Sequence, residues 1–221
     1  MKLHRTLTYL VAAQILWLGV AFGQNYKAES AGAPPTDVPK EIQDMLDLQG
    51  TRVVNDQGST VCEVWLRKTA PTNPNPSGSS DILYSALSEG IFLGVLRFPN
   101  AATDYRNQAI KAGFYTLRYA LIPQDGNHMG VNPYRDALVL APLAADKELD
   151  KAVNSGELVK LGRLASGTPH PGFLVGAQTS GDKFPSVVKD DQGHWNLQMK
   201  AHGQGGDFPI AFTVVGKWEG P

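Results

Sequence analysis

Between residues 123 and 136 the chain reads PQDGNHMGVNPYRD, which crowds Asp125, His128, Tyr134, Arg135 and Asp136 into one short polar stretch. His170, held between two prolines in TPHPG, is the other side chain placed to do chemistry. Imidazole and carboxylate are ligand types for zinc and similar divalent cations, so Asp125, His128 and His170 could converge on a metal ion, as in a metal-dependent hydrolase. One histidine and one carboxylate three residues apart fall short of a motif, and neither HExxH nor CxxC accompanies them. Turn chemistry accounts for more of the positions. Asp125-Gly126-Asn127 supplies turn formers, Gly130 a second bend and Asn132-Pro133 a third, while Arg135 and Asp136 suit an ion pair or a backbone staple at a strand entry. His194 and His202 need nothing beyond solvent.

Other catalytic constellations are missing as strings: the sequence has no Gly-x-Ser-x-Gly elbow, no phosphate-binding glycine loop with its lysine and no dinucleotide fingerprint. Carboxylate pairs for glycoside chemistry come from distant strands and follow no spacing rule. Cys62 falls in the alternating run CEVWL, on the face of Val64 and Leu66, where a thiol behaves as a small buried hydrophobe. Trp65, Tyr115 and Tyr119 could stack sugars on a sheet face or pack on a partner, although core packing is the commoner fate of such aromatics.

These groups must be positioned by strands. Residues 113–122 alternate most clearly, with Tyr115, Leu117, Tyr119 and Leu121 on one face and Phe114, Thr116, Arg118, Ala120 and Ile122 on the other. Residues 137–140 make a shorter strand after the polar segment, and loops held between rigid strands are where binding groups tend to sit. Asp56-Gln57-Gly58 predicts a hairpin between 52–55 and 59–67. Runs 82–87 and 91–98 read as central strands apolar on both faces, 173–175 as a short apolar segment, and 186–189, 194–200 and 208–218 as a β-rich tail. Two helical stretches interrupt the pattern: an N-terminal helix from Thr36 or Asp37 to Gly50, with Val38, Ile42, Met45 and Leu46 on one stripe, and an insertion at 146–165 broken at Ser155-Gly156. The expected class is mainly β, an antiparallel, jelly-roll-like β-sandwich of one domain covering 36–221.

Residues 1–23 read as a signal peptide. Lys2, His4 and Arg5 precede an uncharged apolar run from Leu7 to Phe22, and Ala21-Phe22-Gly23 supplies a small-x-small cleavage site before Gln24. The run is shorter than the ~20 residues a spanning helix needs, so no stable membrane span is expected after cleavage. Residues 24–35 are polar and small and read as a flexible leader. Without Lys2 and Arg5, the 20 Lys and Arg become 18 against 21 Asp and Glu, a net of −3 that gives no reason to bind nucleic acid. One cysteine permits no intrachain disulfide, so the exported domain depends on its core.

Three strings, GVLRFP at 94–99, IKAGFYTLRYALIPQDGNHMGVNPYRD at 110–136 and ASGTPHPG at 165–172, resemble a group of uncharacterised secreted bacterial proteins. The resemblance covers under a quarter of the chain. It implies a secreted β-rich fold and a recurring Asp125–Asp136 loop with His170, and brings no activity, substrate or cofactor. The function expected is therefore a non-catalytic, periplasmic or extracellular β-sandwich that binds a small molecule, a glycan or an envelope protein. The alternatives are the metal-dependent hydrolase and a structural envelope component.

Overall fold

Alternating apolar residues bury one sheet face against a partner, and this chain builds two such sheets. The computed structural model describes residues 24–218 apart from 74, 77, 127, 129 and 131, so the signal peptide expected at 1–23 lies outside the described residues. In chain order the elements are β1 (Tyr26–Gly32), α1 (Lys40–Gln43), β2 (Gly50–Asn55), β3 (Thr60–Leu66), β4 (Phe92–Phe98), β5 (Ala102–Thr103), β6 (Ala109–Ile110), β7 (Gly113–Leu121), β8 (Asp136–Pro142), α2 (Ser155–Ser166), β9 (Phe173–Val175), β10 (Ser186–Lys189), β11 (Trp195–Gly203) and β12 (Gly206–Val215). The strands β1-β2-β3-β4-β7-β8-β9 form one curled antiparallel sheet, an up-and-down meander, β10-β11-β12 form a second, and β5-β6 form a small two-stranded third. Among the described residues strands take 42% against 8% for helices, which is the mainly β class expected from the alternation.

The main core lies between these sheets. Cys62, Val64, Leu66, Tyr115, Leu117, Tyr119, Leu138 and Leu140 from the large sheet meet Leu197, Met199, Ile210 and Phe212 from the small one. Cys62 is fully buried there, and burial pushes its thiol up to about 12, so it is an inert part of the packing. Trp65, Tyr115 and Tyr119 are also core residues, 1–5% exposed, and offer no face for stacking a sugar.

The opposite face of the large sheet has three covers. Val38, Ile42 and Leu46 pack on Trp65, Phe92 and Val95. Residues 146–154 cross the middle, and α2 lies over β8 and the adjoining part of β7, with Leu158 in one cluster with Val139 and Phe173. β4 is therefore apolar on both sides, as its sequence requires.

Four expectations fail for identifiable reasons. Residues 24–35 contain β1, the edge strand of the large sheet, paired along β2 from Tyr26↔Asn55 to Gly32↔Gly50, because main-chain pairing needs no apolar side chains. The N-terminal helix shrinks to Lys40–Gln43: Asp47 N donates to Leu66 O (2.8 Å) and Lys68 N to Met45 O (2.8 Å), so the end of β3 captures the backbone that a longer helix would use. Residues 82–87 are irregular, a bend and a turn ending in the isolated Thr72↔Leu87 bridge, with Leu83 N and Tyr84 N donating to the Asp136 carboxylate. Of the insertion, only Ser155–Ser166 is helical. The break expected at Ser155-Gly156 is the helix start, capped by Asn154, whose side chain accepts from Glu157 N.

Candidate functional site

Ala120 of β7 and Ala137 of β8 are register partners on the sheet face beneath α2. Two small side chains side by side leave a dip, and Val139, Leu158 and Phe173 surround it with apolar surface. The result is a cleft of about 320 Å³ walled by the first turns of α2, the loop after β7 and the 168–171 turn. Pockets of this kind, apolar with a few convergent polar groups, are the usual form of small-molecule sites.

Each wall is fixed by local chemistry. α2 ends at Gly167, which takes the left-handed conformation at φ 66° and donates to Arg163 O. Beyond it, Ser166 Oγ donates to His170 O (2.6 Å), Arg163 Nε to Pro169 O (2.6 Å) and Gly172 N to Gly162 O (2.9 Å), folding the TPHPG turn back on the helix. A Cβ on Gly162 would sit 2.4 Å from Pro171 Cβ, so that contact needs glycine. On the same side Asp104, 1% exposed, accepts from Arg106 N, Gln108 N and Gln108 Nε2 at 2.7–3.0 Å and so shapes the turn that carries Arg106. Burial raises the Asp104 carboxyl above the usual carboxylate range, against the pull of these hydrogen bonds.

The candidate residues divide among three places. His128, Arg135 and His170 line the cleft. Asp125 supports it through His128, whose Nδ1 lies 2.6 Å from Asp125 Oδ1 while its backbone N donates to Asp125 O across the turn. Arg135 is anchored by its backbone N to Asp81 O (2.9 Å) and by Nε to Ile122 O (2.9 Å). Tyr134 belongs to another depression, beside Asp190, His194 and Asn196, with its hydroxyl 3.2 Å from Gln178 Oε1. Asp136 is not a binding residue: at 1% exposure it accepts from Leu83 N (2.8 Å), Tyr84 N (3.0 Å) and the Tyr119 hydroxyl (2.7 Å), which makes it the staple of the 82–87 segment.

Among the described residues no three His, Cys, Asp or Glu side chains are placed to hold a metal ion, so Asp125, His128 and His170 share a neighbourhood without forming a coordination set. The Asp125–His128 pair has the form of an oriented imidazole. Among the described residues no hydroxyl or thiol hydrogen-bonds to its other ring nitrogen, as a nucleophile–base pair would require.

Sequence reasoning missed Arg106, Glu89 and the apolar bed of Ala120, Ala137, Val139, Leu158 and Phe173. The alternation of β7 and β8 does place both alanines on one face, but their register becomes visible only when the strands pair. Among the described residues no helix is long and apolar enough to cross a membrane. No family model, curated protein or solved structure matches the chain, so the site stands on its own geometry.

Proposed function

We propose that this chain is an exported, non-catalytic binding protein that holds a small, largely apolar molecule in the cleft between α2 and the β7–β8–β9 face. The observation that supports this most is the bed itself: Ala120, Ala137, Val139 and Phe173 leave an apolar recess of about 320 Å³ on a sheet that otherwise covers its outer face. A purely structural envelope protein has no need of such a recess. The signal-like segment 1–23 and the resemblance to secreted bacterial proteins support a periplasmic or extracellular setting for the domain.

A panel of small apolar and amphipathic molecules screened by thermal shift tests the reading, with Ala137→Phe filling the cleft. A ligand at ~100 times its Kd stabilises by about 2.7 kcal/mol, which raises Tm by about 5–10 °C in a domain of this size. The wild type should show such a rise and Ala137→Phe should lose it. If no compound raises Tm, or the filled variant responds equally, the reading is wrong.

A further inference from the structure

Two guanidinium groups stand at the cleft without an ion-pair partner among the described residues. Of the seven arginines among the described residues, four hold carboxylates: Arg52 and Arg97 share Glu63, Arg67 reaches Asp150, and Arg118 grips Asp146. Of the other three, Arg163 donates to Pro169 O away from the cleft lining, while Arg106 and Arg135, also without an ion pair among the described residues, both line the cleft. Arg135 is oriented through Nε, bound to Ile122 O, while its Nη groups have no hydrogen-bond partner among the described residues. Asp81 lies close enough to sense Arg135, but its carboxylate accepts from Ser79 Oγ and Gln124 Nε2 instead. Arg106 stacks over the Trp218 ring with its guanidinium carbon 5.7 Å from the centroid. The single acidic side chain in the lining, Glu89, already accepts from Leu121 N at 3.2 Å. The first turn of the twelve-residue α2 adds the positive end of its dipole to the same wall through Ser155.

A neutral apolar guest would strip water from these guanidinium groups and give nothing back. A carboxylate head supplies the charge-assisted, forked partner that guanidinium geometry favours. We infer that the ligand is an amphipathic carboxylate, its hydrocarbon body on the Ala120–Ala137 bed and its head on Arg135, with Arg106 as the second cation. The volume equals about ten waters, which limits the body to about that many methylene-sized groups. This inference rests on the ligand-binding reading above and fixes the chemistry of its ligand.

Calorimetric titration of the mature protein with decanoate, decanol and decyltrimethylammonium, each below its micelle concentration, separates the two levels. Decanoate should bind about tenfold or more tightly than decanol, and the preference should shrink as salt rises. Arg135→Gln should bring decanoate to within a few-fold of decanol without changing decanol, Arg135→Lys should keep part of the preference, and Arg106→Gln should lower it less. Tm of each variant checks its folding, and Arg106→Gln carries the test if Arg135→Gln does not fold. Decanol binding as tightly as decanoate, the cation binding best, or a preference untouched by either glutamine variant overturns the inference and leaves the ligand-binding reading standing. If none of the three binds, both fall together.

Discussion

Arg118 spends all five of its guanidinium N–H donors inside the protein. Nε and Nη2 grip the two oxygens of Asp146 at 2.7 and 2.8 Å, while Nη1 reaches Gly90 O and Lys151 O and Nη2 also reaches Glu148 O. At 0% and 2% side-chain exposure the pair is fully desolvated, and it ties residues 146–151 across β7. Asp146→Asn should cost about 3–5 kcal/mol, because it leaves the guanidinium charge buried without its counter-charge. The double replacement Arg118→Met with Asp146→Leu should recover part of that loss in denaturant titration; full additivity of the two single effects would mean the pair is not coupled. Asp104 gives the pH dependence at this scale. Its folded pKa is raised by burial, so the native state holds the proton more tightly than the unfolded chain. Its stabilising contribution is complete below the unfolded value near ~3.9 and is lost as pH rises through the folded value. The stability of wild type relative to Asp104→Asn should therefore fall across that window and flatten above it. A relative stability that climbs with pH would contradict the burial-dominated assignment.

Elements whose signals are local formed as their residues predict. The β2–β3 hairpin turns at Asp56-Gln57-Gly58, with Gly58 at φ 75°, and β7 runs Gly113–Leu121 with its two faces divided as the alternation requires. α1 and the 82–87 segment departed from their patterns because distant backbone and carboxylate groups compete for their N–H groups, a competition that no local window contains. Gly90 marks such a meeting point. It has φ 86°, accepts from Arg118 Nη1, and comes so close to residue 153 that a Cβ would lie 1.9 Å from Val153 O. Gly90→Ala should destabilise by at least about 2 kcal/mol, from left-handed strain plus displacement of the 146–154 cover. Chemical denaturation checks it, and a loss within a few tenths of a kcal/mol would show that this crossing yields easily.

At the scale of the molecule the two sheets share one core, and they are stitched at the open end by the Gly176↔Phe212 bridge and by Ala177 N donating to Ala211 O at 3.0 Å. Tyr84 adds a third stitch: its hydroxyl donates toward Ala177 O (2.8 Å) and accepts from Ala211 N (2.7 Å). The small sheet has no core of its own, since Leu197, Met199, Ile210 and Phe212 all pack on the large one. Unfolding should therefore be a single transition, with far-ultraviolet circular dichroism and tryptophan fluorescence coinciding. Separate midpoints for the two probes would mean that the sheets fold independently.

The amino-acid sequence by itself determined the β class, most strand positions, the burial of Cys62 and the polar segment that makes neighbours of His128 and Arg135, because alternation and turn chemistry are written in adjacent residues. Only the tertiary structure decided what that neighbourhood is. Asp136 left the site to become a staple, Tyr134 faced another depression, and Arg106 joined from a turn with no periodic signal. The apolar bed exists because Ala120 and Ala137 pair in register across β7 and β8 while α2 lies over them, a coincidence of separated segments. Strand register and the packing of a helix on a sheet are long-range choices, and cavities follow from those choices more than from any motif.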